Sequence, residues 1–202
     1  METTALLTDD EIVALCIADG RPWPLGLSTV EATTEELAKA GIRGMRSLMV
    51  RRLAGGDAEK SGMRPNELIA NDVAAFLDAA NRIGAYIAPA ADPSKLGGAA
   101  VTAAQTGSGW VVDTATAAGV HALRRATVEE ACVAVLELAE NTYNGTFFED
   151  EQRRAEWICV LRFGPTAGSA LTIGHGKASG QVDGSAVQGW NPDVVRAAFG
   201  VA

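Results

Sequence analysis

One helix-like segment near Val128–Ala139 constrains the fold of this chain more than any other feature of its sequence. At helical spacing its four glutamates, Glu129, Glu130, Glu137 and Glu140, share one narrow arc, and nearly every other position is apolar. A helix that is apolar over most of its circumference must be covered on several sides. We therefore predict that this helix lies in the middle of the molecule.

The segments on either side of this helix repeat the same order of elements. A helix from about Glu67 precedes three strand-like runs, near Ile83–Ala88, Ala99–Gln105 and Trp110–Thr116, and Gly119–Leu123 can prolong the sheet. After the central helix, three more runs lie near Ala155–Phe163, Ser169–His175 and Lys177–Val187, before a last helix that ends near Phe199. Short glycine-bearing links favour antiparallel pairing. The sequence thus predicts an α+β fold in which antiparallel sheets and helices form a quasi-two-fold repeat of helix-βββ around the central helix. We interpret 1–202 as a single domain with pseudo-repeat halves of about 1–126 and 127–202.

The segment before Glu67 carries its own local signals. Thr8 and Glu11 form the capping-box pattern of a first helix, and a second helix is predicted from Thr33 or Thr34. Between them, Pro22-Trp23-Pro24 forbids a helix and suits an extended, edge-type segment. The stretch Gly55–Pro65 is typical of a loop.

Composition and charge exclude several function classes. The chain has 202 residues and a net charge of −8, which argues against binding the phosphate backbone of a nucleic acid. Four arginines, Arg43, Arg46, Arg51 and Arg52, nevertheless lie within ten residues that contain no acid. They are either a solvated helix face or a patch that receives an acidic partner.

No segment predicts membrane insertion or export. The first residues are acidic rather than basic, and the longest uncharged run, Leu96–Val112, is too polar and too short to span a membrane. We expect a cytoplasmic protein. The three cysteines, Cys16, Cys132 and Cys159, fall in apolar patterns without paired spacing, which predicts buried free thiols.

The chemically versatile side chains do not form a catalytic or metal-binding pattern, so we predict no enzyme, cofactor or metal. His121 is expected to be a surface or hydrogen-bonded polar residue. The run Gly174-His175-Gly176-Lys177 has the glycines of an anion-binding loop, but a strand-like segment follows it instead of a helix, and Ala178 stands where a phosphate-binding loop needs serine or threonine. A hairpin turn is the preferred interpretation.

Several short patterns along the chain resemble those of one family. They are Pro22-Trp23-Pro24-Leu25, Ala40-Gly41-Ile42-Arg43-Gly44-Met45-Arg46, the run from Gly98 to Ala104, Gly109-Trp110-Val111-Val112, Arg154-Ala155-Glu156-Trp157 and Asn191-Pro192-Asp193. On these residues the chain resembles the EspG family, the cytoplasmic chaperones of type VII (ESX) secretion in actinobacteria. It departs from the family at Ser47-Leu48, where glycine-leucine is usual, and it is shorter than a typical member.

The resemblance implies a quasi-two-fold fold on antiparallel sheets and a role in binding PE–PPE heterodimers and keeping them soluble. Our hypothesis is a non-enzymatic chaperone or adaptor for a secreted helical, PE–PPE-like partner. As partner-binding residues we predict Gln105, Thr106, Ser108 and Trp110, a glycine-bearing link next to an aromatic anchor.

Two alternatives stay open. One is a small-molecule-binding protein or enzyme that uses the Gly174–Lys177 turn, for which His175 and Lys177 would have to face a concave pocket. The other is a homo-oligomeric structural protein, which would need an apolar surface that a second copy covers.

Overall fold

The computed structural model describes residues 4–57, 62–96, 98–164 and 169–201. Within them the helices are α1 (Asp9–Asp19), α2 (Thr34–Val50), α3 (Glu67–Asp78), α4 (Val128–Tyr143), α5 (Glu151–Glu156) and α6 (Asp193–Phe199). The strands are β1 (Ala5–Thr8), β2 (Ala54–Asp57), β3 (Gly62–Pro65), β4 (Arg82–Pro89), β5 (Ala100–Thr106), β6 (Gly109–Ala115), β7 (Val120–Ala126), β8 (Trp157–Phe163), β9 (Ala170–Gly174), β10 (Lys177–Val182) and β11 (Ser185–Gln188).

Nine of these strands form one antiparallel sheet, which confirms the predicted α+β class. Their order is β1-β7-β6-β5-β4-β8-β9-β10-β11. The two central strands, β4 and β8, pair from Ile83↔Phe163 to Pro89↔Trp157. Because β4 is buried along nearly its whole length, it has the continuous apolar sequence of a strand that is covered on both faces.

The sheet contains two similar runs of four strands, which meet where β4 pairs with β8. β4–β7 followed by α4 corresponds to β8–β11 followed by α6. Each run has four strands where the sequence predicted three. β7 is the prolongation that began at Gly119, and the predicted run Lys177–Val187 splits at the turn Asp183-Gly184, whose residues have φ angles of 48° and 78°. The left-handed conformation of these two residues reverses the chain there.

Helices cover the sheet from both sides. α4 and α6 pack on one face with a core that includes Val112, and α1 and α3 pack on the other with a core that includes Val111. Successive strand residues point to opposite faces, so these neighbours belong to different cores. α4 contacts strands β4 to β9 as well as α6. The prediction of a central helix is confirmed, in that α4 lies across the middle of one face of the sheet.

The N-terminal part confirms the predicted caps and corrects one prediction. Both halves of the Thr8/Glu11 capping box are formed, and Thr33 caps α2. The segment predicted as a loop over Gly55–Pro65 instead contributes the antiparallel hairpin β2–β3, while residues 58–61 lie outside the described part. Glycine-rich strands this short carry little local signal, because backbone pairing alone holds them. Burial alternates from Trp23 to Leu27, as an extended segment requires, but this segment runs outside the sheet.

α1 and α2 approach each other closely at two glycines of α2. A Cβ atom on Gly44 would overlap the backbone carbonyl of Asp10, and one on Gly41 would overlap the side chain of Ile17. Glycine allows this approach because it has no side chain. The contact at Gly44 thus sets the distance between the two helices.

Candidate functional site

The predicted partner-binding segment forms the tip of the β5–β6 hairpin. Gln105, Gly107 and Ser108 are exposed there. The Thr106 hydroxyl closes the turn, because it donates to the Gly109 carbonyl over 3.0 Å and accepts from the Ser108 N–H over 3.3 Å. The Gln105 side chain accepts from the Asn81 amide over 2.9 Å. The tip is therefore exposed and held in one conformation.

Trp110 does not provide the exposed anchor that the prediction assigned to it. It is 6% exposed, and its ring packs against Phe199 of α6 with 4.8 Å between ring centroids. The physical reason is strand alternation, since Trp110 shares the face of Val112 that α4 and α6 cover. Trp110 supports the hairpin from within the core, and the accessible residues of the predicted segment are Gln105, Thr106 and Ser108, together with Gly107. Partner binding by these residues stays a prediction.

The Gly174–Lys177 turn is the counterpart of this tip in the second run of strands. It joins β9 to β10, as the first tip joins β5 to β6, and the registers place the two turns at opposite ends of the sheet. The Gly176 N–H donates to the Tyr143 carbonyl at the end of α4 over 2.9 Å. His175 and Lys177 are both exposed on the turn. Neither residue lines any of four cavities in the described ranges, so the alternative function stays a prediction.

A buried ionic cluster, which the sequence did not predict, lies where α1 meets the sheet. His121 Nδ1 is 2.9 Å from an Asp113 carboxylate oxygen, and Nε2 is 2.7 Å from Asp9 Oδ1. The three residues are at most 2% exposed. An ionised carboxylate only accepts hydrogen bonds, so two ionised partners require both ring nitrogens to donate and the imidazole to be protonated.

The pKa shifts of His121 and Asp9 agree with an ion pair between these two residues. Burial alone would lower the pKa of His121, but the hydrogen bonds and charges of Asp113 and Asp9 outweigh it and raise that pKa to about 9. Burial raises the pKa of Asp113. Burial by itself would raise the pKa of Asp9. The hydrogen bonds that His121 and Thr29 donate to its carboxylate outweigh burial and lower the pKa. The lowered pKa of Asp9 and the raised pKa of His121 make these two residues an ion pair, and the second ring nitrogen of His121 is hydrogen-bonded to the carboxyl group of Asp113.

The cluster connects separate segments of the chain. Asp9 Oδ2 also accepts from the N–H and hydroxyl of Thr29, over 2.6 and 2.8 Å, so it ties the segment before α2 to the sheet. A cavity of about 110 Å³ is lined by Asp113 and His121 together with Tyr86 and Arg162. Both ring nitrogens of His121 are hydrogen-bonded, which confirms the expected hydrogen-bonded role of this residue.

The alternation of residues along β6 and β7 could have predicted that Asp113 and His121 are buried. Asp113 lies two residues from buried Val111, and His121 two residues from buried Leu123. Both polar residues therefore belong to the apolar face of their strands. Asp9 is 112 positions from His121, and only the tertiary fold brings it into the cluster.

A second network of ion pairs includes two of the four arginines that the sequence places close together, Arg43 and Arg51. Glu11 is fully buried and accepts from Ser47 over 2.7 Å and from Arg51 over 2.6 Å. Arg43 forms a two-bond ion pair with Asp10, with both distances below 2.9 Å. Two of the four arginines thus join α2 to α1. Arg46 and Arg52 are exposed.

An apolar groove of about 470 Å³ lies between α1 and the segment that precedes α2. Ile17, Trp23, Leu27, Val30 and Leu37 are among its lining residues. Trp23 stacks on Phe76 with 4.5 Å between ring centroids, which fixes one wall of the groove.

Three further observations concern metals, membranes and thiols. In the described ranges, His, Cys, Asp and Glu residues do not gather in any group of three or more that could bind a metal ion. Among the described helices, none is long and apolar enough to cross a membrane. Cys16, Cys132 and Cys159 are buried free thiols, as predicted.

The fold described above has a solved counterpart among the chaperones of type VII secretion systems. The chain is similar to the solved Mycobacterium tuberculosis type VII secretion system chaperone EspG5 in complex with the PE25–PPE41 dimer. The match covers 98% of this chain and 95% of EspG5, with a TM-score of 0.51 and 10% sequence identity. The likeness is therefore one of fold. No family model and no curated protein matches the sequence.

Proposed function

We propose that this chain is a cytoplasmic, non-enzymatic chaperone or adaptor that binds a helical secreted partner of a type VII (ESX) secretion system. The observation that carries the proposal is the fold similarity to EspG5 over 98% of the chain. EspG5 was solved with a PE–PPE dimer bound, so a PE–PPE-like protein is the partner class to test first. A fold alone does not determine function, and the proposal therefore depends on a direct binding test.

The proposed mechanism is the capping of an apolar helical tip. Apolar surface that a partner exposes at a helical tip aggregates unless it is covered. The β5–β6 tip suits this role, because its Thr106 hydrogen bonds and the Trp110–Phe199 contact hold it rigid. A rigid tip loses little conformational entropy when a partner binds.

The test is coexpression of the full chain with PE–PPE pairs from its source genome. We expect one pair to copurify as a complex of one chaperone with one dimer and to aggregate when expressed alone. Binding affinity is then measured by titration calorimetry. If none of the pairs binds and a metabolite raises the melting temperature instead, the small-molecule alternative is favoured.

Substitution of Ser108 by glutamate tests the surface. Ser108 is exposed on the β5–β6 tip, so Ser108→Glu should leave the melting temperature unchanged. If the tip covers an apolar partner, the new carboxylate loses water on binding, and we expect the affinity to fall at least about tenfold. The matched control is His175→Glu, which adds the same charge to the equivalent exposed turn at the other end of the sheet. Equal binding by both variants and the wild type would exclude the β5–β6 tip as the binding surface.

A further inference from the structure

The outer face of α2 carries apolar side chains that the described part of the fold leaves in solvent. Ile42, Met49 and Val50 are 50%, 46% and 84% exposed. At 100° per residue, Ile42 and Met49 lie 20° apart, opposite the face that packs Ala40, Gly44 and Leu48 into the molecule. Apolar residues that are exposed together on one helix indicate an interaction surface more strongly than single ones do.

This face is also positively charged. Arg46 lies between Ile42 and Met49 along the helix and is exposed. The nearby Arg43 and Arg51 are matched by Asp10 and Glu11 of α1, so Arg46 adds an excess of positive charge. A surface that combines exposed apolar groups with a cation suits an acidic helix that has an apolar centre.

The outer face of α4 has that complementary character. Glu129, Glu130 and Glu137 are exposed around Val133, which is itself 60% exposed. The sequence of α4 contains no lysine or arginine. α2 and α4 are nearly equal in length, at 17 and 16 residues, and they lie on opposite sides of the sheet.

We infer that the outer face of α2 binds the outer face of α4 in a second copy of this chain. The association is head-to-tail, because pairing α2 with α2 would bring Arg46 near its own copy, and pairing α4 with α4 would bring glutamates together. A head-to-tail contact leaves one free face at each end, so copies add to form chains or close into rings. The contact is small and charged, and it is expected to be weak and sensitive to salt.

The test uses two variants of the full chain in sedimentation velocity experiments. The first carries Arg46→Glu and Met49→Glu on α2, and the second carries Val133→Arg and Glu137→Arg on α4. These positions are exposed, so the folds should melt at unchanged temperatures. In 50 mM salt we expect the wild type to associate as its concentration rises, with an apparent dissociation constant that increases roughly tenfold in 500 mM salt.

Each variant alone should stay monomeric, because one of its two faces now repels the other. A mixture of the two should associate again, since the intact α4 face of the first variant meets the intact α2 face of the second. Leu68→Glu, at an exposed position of α3, is the control and should associate like the wild type. A wild type that is monomeric at 500 µM in low salt, or a mixture that does not dimerise, would overturn the inference.

Discussion

Substitution of His121 by leucine should lower the free energy of unfolding by about 3–5 kcal/mol, since it removes one member of a buried ion pair. His121 donates to both Asp9 and Asp113, and all three residues are buried. Without the imidazolium, the buried Asp9 carboxylate lies beside a second buried carboxyl group and has no counter-charge. Denaturation by urea, followed by circular dichroism, measures the loss.

The control for this substitution is the other histidine of the chain. His175 is exposed on the β9–β10 turn, and His175→Leu should change the free energy of unfolding by less than about 0.5 kcal/mol. If both leucine variants were equally stable, the cluster would not stabilise the fold.

The same cluster gives stability a defined dependence on pH. The pKa of His121 rises from 6.5 to about 9 on folding, so the folded state binds the proton more tightly. Its contribution, about 3 kcal/mol for this shift, is complete below pH 6.5 and decreases as the pH rises through 9. The urea concentration at the unfolding midpoint of the wild type should therefore fall as the pH is raised from 6.5 to 9. His121→Leu should remove this decrease, and a parallel decrease in the variant would assign it to other groups.

Gly44→Ala should have an effect of similar size for a steric reason. The added Cβ would overlap the backbone carbonyl of Asp10, which cannot rotate away, so α1 and α2 must move apart. We expect a loss of about 3 kcal/mol in the free energy of unfolding, at the upper end for overpacking. Thermal and urea denaturation measure it.

Gly41→Ala is the matched control, because its Cβ would meet the flexible end of the Ile17 side chain. Alanine is favoured over glycine inside a helix by about 1 kcal/mol, which offsets the movement of Ile17. Gly41→Ala should thus stay within about 1 kcal/mol of the wild type. If the two alanine variants were equally stable, the contact at Gly44 would not set the distance between α1 and α2.

The elements that sequence patterns predicted correctly are those that neighbouring residues determine. The capping boxes at Thr8 and Thr127 each involve residues three positions apart, and both are formed. The apolar stripe of α3 is buried at Ile69, Val73 and Phe76. Such signals act within one or two turns, so no knowledge of the tertiary fold is required.

The features that the sequence did not predict depend on pairing between distant segments. β1 has four residues and is a strand only because it pairs with β7, from Ala5↔Leu123 to Thr8↔Val120. The His121 cluster likewise requires α1 to lie against the sheet. Trp110 was correctly placed at the start of a strand, but whether that strand face is exposed or covered depends on α6, which lies about 90 residues later in the chain.

The pairing of β4 with β8 has a consequence for the synthesis of the protein. The two strands at the centre of the sheet lie about 70 residues apart in the chain, since β4 ends at Pro89 and β8 begins at Trp157. While the ribosome makes the intervening residues, β4 has no partner on one side, and its unpaired backbone groups can bind other nascent chains. The N-terminal segments must wait for β8 to emerge before the sheet is complete. We therefore expect completion of the sheet to depend on translation of the second half, and slow or interrupted translation after α4 to leave β4 without its β8 partner.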